Sequence, residues 1–224
     1  MASYLDTTYP QAEYAENLYP QKLCNHLSDK YFTHSGKLLD IGSGRGNHLV
    51  GFVRNGHTVY GLDKRRECFV EGFDIRECDI ETEKFPYEGE FFDWIFSKSV
   101  LEHVYNADNF INETLRVLKT GGKVVLMTPA WESQYKMFWD DYTHVKAFTK
   151  KSLQNALKIA GFKNVEVSYF LQLPFIWKYP YLKVATNIIA MLPDELKWKD
   201  NEQSDARRLL RFSKEKMLLA YGSK

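Results

Sequence analysis

The sequence predicts an α/β fold built on a doubly wound, mostly parallel sheet, and three observations carry that prediction. The apolar run Lys37–Ile41 passes straight into a glycine-punctuated turn, then into Asn47–Val53, where apolar residues take helical spacing. Downstream, short apolar runs alternate with helix-patterned stretches, the arrangement that links parallel strands. The 224 residues are enough to bury both faces of such a sheet in a single domain spanning 1–224.

Totals narrow the function before any motif is read. Lys and Arg number 30 against 29 Asp and Glu, a formal net charge of +1, so no basic field exists to hold a nucleic acid backbone. The three cysteines, Cys24, Cys68 and Cys78, are odd in number and lack Cys-x-x-Cys spacing, which points to buried thiols in a reducing compartment. The first residues lack the basic-then-apolar layout of a secretory signal, and no run is long enough to span a bilayer. A soluble cytoplasmic protein is expected, with peripheral membrane contact left open.

The first segment, residues 1–34, reads as helical: Pro20 suits a helix start, and Leu23, Leu27 and Tyr31 recur on one face. The loop after the first strand, Gly42-Ser43-Gly44-Arg45-Gly46, has Gly-x-Gly-x-Gly spacing. Glycine there allows positive φ and close backbone approach, and the free N–H groups of the following helix face whatever is bound. A dinucleotide fingerprint would need its third glycine where Asn47 stands. Asp40 lies just before the loop, and the second strand, Thr58–Asp63, ends in an acid able to accept both hydroxyls of a ribose. At these residues the sequence resembles the class I S-adenosylmethionine-dependent methyltransferases. The resemblance implies that Asp40, Gly42, Ser43, Gly44 and Gly46 cradle the methionine end of the cofactor, and that Asp63, with Lys64 beside it, holds the ribose. Taken alone, the loop would also serve as a plain tight turn, and each acid as a solvated aspartate.

Lys64–Gly72 reads as a short helix and Phe73–Asp79 as a third strand. In the family an acid at this strand's end meets the adenine amino group; Asp79 matches, next to Ile80, although a turn or cap role would also suit it. Phe91–Ser97 is almost wholly apolar, as a central strand covered on both faces should be, and Ser97 completes the cofactor set. The run Ser97–Val104 resembles the family's segment bordering the methyl-donor site, where Glu102 and His103 either serve chemistry or order the loop. Asn109–Lys119 is an amphipathic helix, with Gly121-Gly122 expected as its left-handed stop before a strand at Lys123–Thr128. The resemblance, spanning Lys37–Thr128, implies a Rossmann-like seven-stranded sheet with an antiparallel last strand and an N-terminal helical lid at 1–34. The core would take 35–171 and 214–224, with a helical insert at 172–213.

The stretch after the fifth strand leaves the sheet's carboxyl edge, where open α/β folds bind ligands. It is aromatic (Trp131, Tyr135, Trp139, Tyr142) yet carries Asp140, Asp141 and His144. The pattern Asp-x-Thr-His-Val-Lys-x-Phe-Thr over 141–149 resembles methyltransferases of sugar and polysaccharide biosynthesis, with Thr149 capping the next helix. His144 is the candidate general base, since histidine suits proton removal near neutral pH. Asp141 would fix its tautomer or bind a neighbouring acceptor hydroxyl, and His103 is the next candidate; the alternative is that Asp141 and His144 merely pin the insert. Asp140, Asp141 and a residue near His103 would admit a divalent metal, but nothing in the spacing demands one and no metal ligand is assigned. A sixth strand is expected at Val165–Leu171 and a last at Lys216–Tyr221; the insert between them would cap the acceptor pocket, form a dimer face, rest on a membrane or build a satellite core.

Two absences favour an oxygen acceptor. The place of an Asn/Asp-Pro-Pro-aromatic turn reads Ser97-Lys98-Ser99-Val100, and no cysteine follows a proline. The leading expectation is O-methylation of a sugar hydroxyl on a glycan or sugar intermediate. A small-molecule methyltransferase for a quinone, phenol or lipid precursor is the alternative. From other classes, an NAD(P)-dependent oxidoreductase and a non-catalytic cofactor-binding subunit are retained. Oligomeric state is not encoded in any readable pattern.

Overall fold

The computed structural model of the chain describes residues 18–65, 72–197 and 205–224; Cys68 and most of the helix expected over Lys64–Gly72 lie outside them. The described elements run α1 (Tyr19–Lys30), β1 (Lys37–Ile41), α2 (Asn47–Arg54), β2 (Thr58–Asp63), β3 (Asp74–Glu77), β4 (Phe92–Lys98), α3 (Ala107–Val117) and β5 (Leu118–Pro129). Then come α4 (Trp131–Gln134), α5 (Lys150–Ala160), β6 (Lys163–Phe170), α6 (Pro174–Lys178), α7 (Lys183–Ile189), α8 (Asp205–Lys214) and β7 (Met217–Ser223). The seven strands pair in the order β3-β2-β1-β4-β5-β7-β6. β7 runs antiparallel to both its neighbours and the remaining pairs are parallel. Chain order reverses between β1 and β4, which opens a crevice at their carboxyl ends.

Neighbouring residues of a strand face opposite sides, and here both sides are covered. Leu39, Ile41, Ile95 and Val124 enter one core with Phe110 and Ile111 of α3 and Leu153 and Leu157 of α5. Leu38, Trp94, Phe96 and Val125 enter the other with Leu23 and Leu27 of α1 and Leu49 and Phe52 of α2. That double cover is why the central strands read as unbroken apolar runs. The described part of the expected 1–34 lid is thus a layer on a sheet face, while residues 1–17 lie outside the described residues.

One expected boundary is corrected. α3 ends at Val117, and Leu118 is already extended at φ −75°, ψ 134°, so Gly121-Gly122 is not a helix stop. The pair lies inside β5, where the register jumps from Phe92↔Leu118 to Trp94↔Lys123. Gly121 takes φ 81°, and a Cβ on Gly122 would come within 2.9 Å of the Lys119 carbonyl oxygen, so glycine forms a bulge here. The Thr149 cap is present as a capping box, its hydroxyl accepting from the Ser152 amide at 3.1 Å.

Within 172–213, Leu173 and Ile176 join Leu171 in a small cluster, packed by Trp177, Leu182, Leu209 and Phe212. Trp177 also stacks on His26 of α1 at 4.9 Å. Among the described residues no helix is long and apolar enough to cross a membrane.

Candidate active site

The crevice is built from two halves. On the β1–β2 side, Gly42, Gly44 and Gly46 all take positive φ (77°, 49° and 74°), and the Gly42 amide donates to the Leu62 carbonyl at 2.7 Å. A Cβ on Gly42 would lie 2.1 Å from Val100 Cγ2, whereas at Gly44 it would meet nothing within 4 Å. The loop is therefore closed beneath and open above, the shape of a cradle. Asp40 and Ser43 are buried at its base, and neither Asp40 Oδ2 nor Ser43 Oγ has a hydrogen-bond partner among the described residues. Burial, and then the neighbouring Asp63, push the Asp40 carboxyl well above the usual range, against the pull of Lys98. Unpartnered buried oxygens beneath an open glycine loop fit a polar ligand that supplies the missing bonds.

Asp63 accepts from the amides of Gly44 (2.8 Å) and Arg65 (3.1 Å), which locks its carboxylate under the loop. Asp79 accepts from the Glu81 amide at 3.0 Å and pairs with Lys64 Nζ at 3.0 Å; those two partners hold its pKa below the ordinary value. Ile80 packs against the core, while its carbonyl accepts from Asn109 Nδ2 at 2.9 Å. Ser97 is placed differently from a ligand-facing hydroxyl: its Oγ donates to the Ile41 carbonyl at 2.8 Å and ties β4 to β1.

The other half grows from the end of β4. Ser99 sits at φ 57°, a left-handed conformation in a residue that is not glycine, two residues before the 3₁₀ turn Leu101–His103. The carbonyl of Glu102 accepts from the amides of both Val145 (2.8 Å) and Lys146 (3.0 Å), so the strand-five insert is stitched onto this turn. As a result the rings of His103 and His144, forty-one positions apart in sequence, have centroids 4.8 Å apart. His144 Nδ1 lies 2.5 Å from the Phe138 carbonyl, and His103 Nδ1 lies 3.2 Å from the Thr143 carbonyl and 2.9 Å from Thr143 Oγ1. A carbonyl only accepts, so each Nδ1 carries the proton and each Nε2 keeps its lone pair.

Asp141 does not fix the His144 tautomer, the first of the two roles read for it. It is 3.9 Å from His144 Nε2, beyond hydrogen-bond reach, and it accepts from Thr143 Oγ1 at 2.6 Å. It therefore acts on His103 through a hydroxyl, and the Phe138 carbonyl fixes the His144 tautomer. Burial, then His144, lower the His103 pKa. Glu102 is buried, accepts from Thr128 Oγ1 at 2.9 Å, and burial lifts its carboxyl to about 7. Glu102, His103 and His144 hold ligand-type atoms within 4.8 Å of one another, and Asp140 is not part of that group.

Two residues escaped the sequence reading. Lys98, at the end of β4, interacts electrostatically with both Asp40 and Glu102 and so joins the two halves; burial lowers its pKa. His48, in the first turn of α2, packs edge-on to Phe96 at 5.2 Å, and burial, then Lys98, push its pKa down to about 3. A lysine closing an otherwise apolar strand was the available signal for the first. Nothing local marks the second.

Residues 12–167 match the family described as methyltransferase domain, more than half of the chain. Over 107 residues the chain is 34% identical to a ubiquinone biosynthesis O-methyltransferase of Bartonella bacilliformis, covering 43% of each. Over 136 residues it is 31% identical to the biotin biosynthesis bifunctional protein BioHC of Cellvibrio japonicus, covering 56% of this chain and 27% of that protein. The matched stretch thus spans less than half the length of either relative. In three dimensions the chain is similar to a SAM dependent methyltransferase of Archaeoglobus fulgidus, with a TM-score of 0.68 at 18% identity, covering 99% of this chain and 100% of that one. At that identity the likeness is one of fold.

Proposed function

The chain belongs to the methyltransferase-domain family, and from that premise we propose that it methylates a hydroxyl of a small, phenol- or quinol-like acceptor. Its cofactor, S-adenosylmethionine, supplies an electrophilic methyl group on a sulfonium. The residues of the chain do the rest. Asp40, Ser43 and the loop of Gly42, Gly44 and Gly46 receive the methionine end; Asp63 with Lys64 holds the ribose, and Asp79 with Ile80 the adenine. Ser97 keeps β1 and β4 in register beneath them.

The observation that carries the reading is the imidazole pair, with the Phe138 carbonyl taking the Nδ1 proton of His144 and Thr143 orienting His103 4.8 Å away. His144 takes the acceptor proton on Nε2, and Asp141 Oδ2, 3.9 Å away, stabilises the charge that develops. His103, oriented through Thr143, holds the acceptor or a second hydroxyl. A neutral imidazole is better matched to a phenol, at a pKa of about 10, than to a less acidic sugar hydroxyl. The names of the relatives above, in ubiquinone and biotin biosynthesis, support a small-molecule acceptor and lend nothing to a glycan. The sugar reading keeps one point in its favour: Trp139 and Tyr142 are exposed beside the histidines and suit stacking on a sugar ring.

Labelled S-adenosylmethionine incubated with catechols, hydroquinones and nucleotide sugars separates the two. Label in the phenolic products, lost in His144→Gln with cofactor binding intact, is the expected result. Label only in the sugars, or none lost in the variant, overturns the proposal.

A further inference from the structure

The insert between β6 and β7 presents a surface that the methyl-transfer site does not use. α7 is turned inside out: Thr186 is its buried residue at 1% exposure, while Val184 (68%) and Ile188 (64%) face outward, followed by Met191 (84%). Tyr181, Val184, Ile188 and Met191 are spaced three, four and three residues apart, which aligns them on one face of a helical stretch. Phe175 and Tyr179 are exposed just before it, and Leu192 and Leu196 just after. An apolar face of this kind marks contact with something other than water.

Charge decides between the candidate occupants. From Val167 to Pro193 the sequence contains no Asp or Glu, and its only charged residues are Lys178 and Lys183, both exposed. Neither forms an ion pair among the described residues, and Lys178 Nζ lies over the Tyr179 ring at 5.4 Å. Two copies meeting through this face would bring four lysines together with no carboxylate between Val167 and Pro193 to offset them. An anionic lipid surface instead complements both features, taking the aliphatic side chains into its outer layer and the lysines at its phosphates.

We propose that the 174–192 face docks the protein on anionic membranes. On the opposite, inward side of this stretch Ala190 lines a cleft with Tyr135 and Met137 of the strand-five insert, so the face stands on the flank of that insert. A lipid-dissolved acceptor would thereby arrive beside the site, but the docking itself does not depend on what that acceptor is.

The test is co-sedimentation of the full chain with vesicles of phosphatidylcholine alone and with one-quarter phosphatidylglycerol, across a sodium chloride series, with ultracentrifugation in the absence of lipid. Binding to the anionic vesicles only, weakening with salt, is expected. Ile188→Asp with Met191→Asp should abolish it while S-adenosylmethionine binding by calorimetry is retained. Lys178→Gln with Lys183→Gln should weaken it by about thirtyfold, which is roughly 1 kcal/mol per lysine near a charged surface. No binding by the wild type, undiminished binding by the Asp variant, or a wild-type dimer that the Asp variant dissociates would each overturn the proposal.

Discussion

Replacing Gly42 by alanine tests the cradle most directly, because the structure specifies two separate penalties. The first is conformational: φ is 77°, and a residue bearing a Cβ costs about 1–2 kcal/mol in the left-handed region. The second is steric: the new methyl would sit 2.1 Å from Val100 Cγ2 and 3.3 Å from its Cβ and Cγ1, an overpacking of about 1–3 kcal/mol. Gly42→Ala should therefore lower unfolding stability by about 2–5 kcal/mol, summing the two. Val100→Ala, removing part of a half-buried side chain, should cost only about 1 kcal/mol by itself. The double variant removes the overlap and leaves the dihedral penalty, so the two changes should couple favourably by about 1–3 kcal/mol. Urea unfolding of all four proteins measures the cycle, and calorimetry with S-adenosylmethionine reports whether the loop still receives the cofactor. The reasoning fails if Gly42→Ala lies within about 0.5 kcal/mol of wild type, the range of an ordinary surface change, or if Val100→Ala restores nothing.

Other consequences are as specific. His144→Gln should reduce turnover by about a hundred- to ten-thousandfold with the cofactor Kd unchanged, and His103→Gln by less; single-turnover methylation measures both. Glu102 has a folded pKa of about 7 against an ordinary 4.5, so its contribution to stability is complete below 4.5 and is lost as pH rises through 7. Wild-type Tm should thus fall between pH 5 and 8 by more than that of Glu102→Gln, and parallel slopes would refute the assignment. The lowered His103 and His48 act in the opposite sense, their contributions being present above about 6.5 and lost below it. Thr149→Ala removes the capping-box hydroxyl and should cost about 1 kcal/mol, a fall in Tm of about 2–4 °C by thermal melt.

Much of this architecture is local and could be read before any coordinates. The limits of β1 and β2, the Thr149 cap and the glycine loop depend on residues within a turn or two of each other, where period and cap chemistry act. The end of α3 misled the sequence reading because a Gly-Gly pair serves equally as a helix stop or as a bulge. Only the pairing of β5 with β4 selects the bulge. Of the two roles read for Asp141, fixing the His144 tautomer falls to the Phe138 carbonyl at Nδ1, while Asp141 lies 3.9 Å from Nε2 and accepts from Thr143, a pairing that spacing alone does not reveal.

The order of apolar runs, glycines and acids therefore determined by itself that this chain winds a mostly parallel sheet with a glycine loop after its first strand. Those signals lie in contiguous stretches, and each strand carries its own. What only the tertiary structure decided is which groups face one another across the sheet's carboxyl edge. Glu102 accepting from Val145 and Lys146 brings two histidines into contact. Lys98 interacts with Asp40 and Glu102 at once. The same holds for α7, which buries Thr186 and leaves Val184 and Ile188 in water. Such pairings are set by long-range packing and by which buried polar atoms can be satisfied, and spacing along a chain carries no record of either.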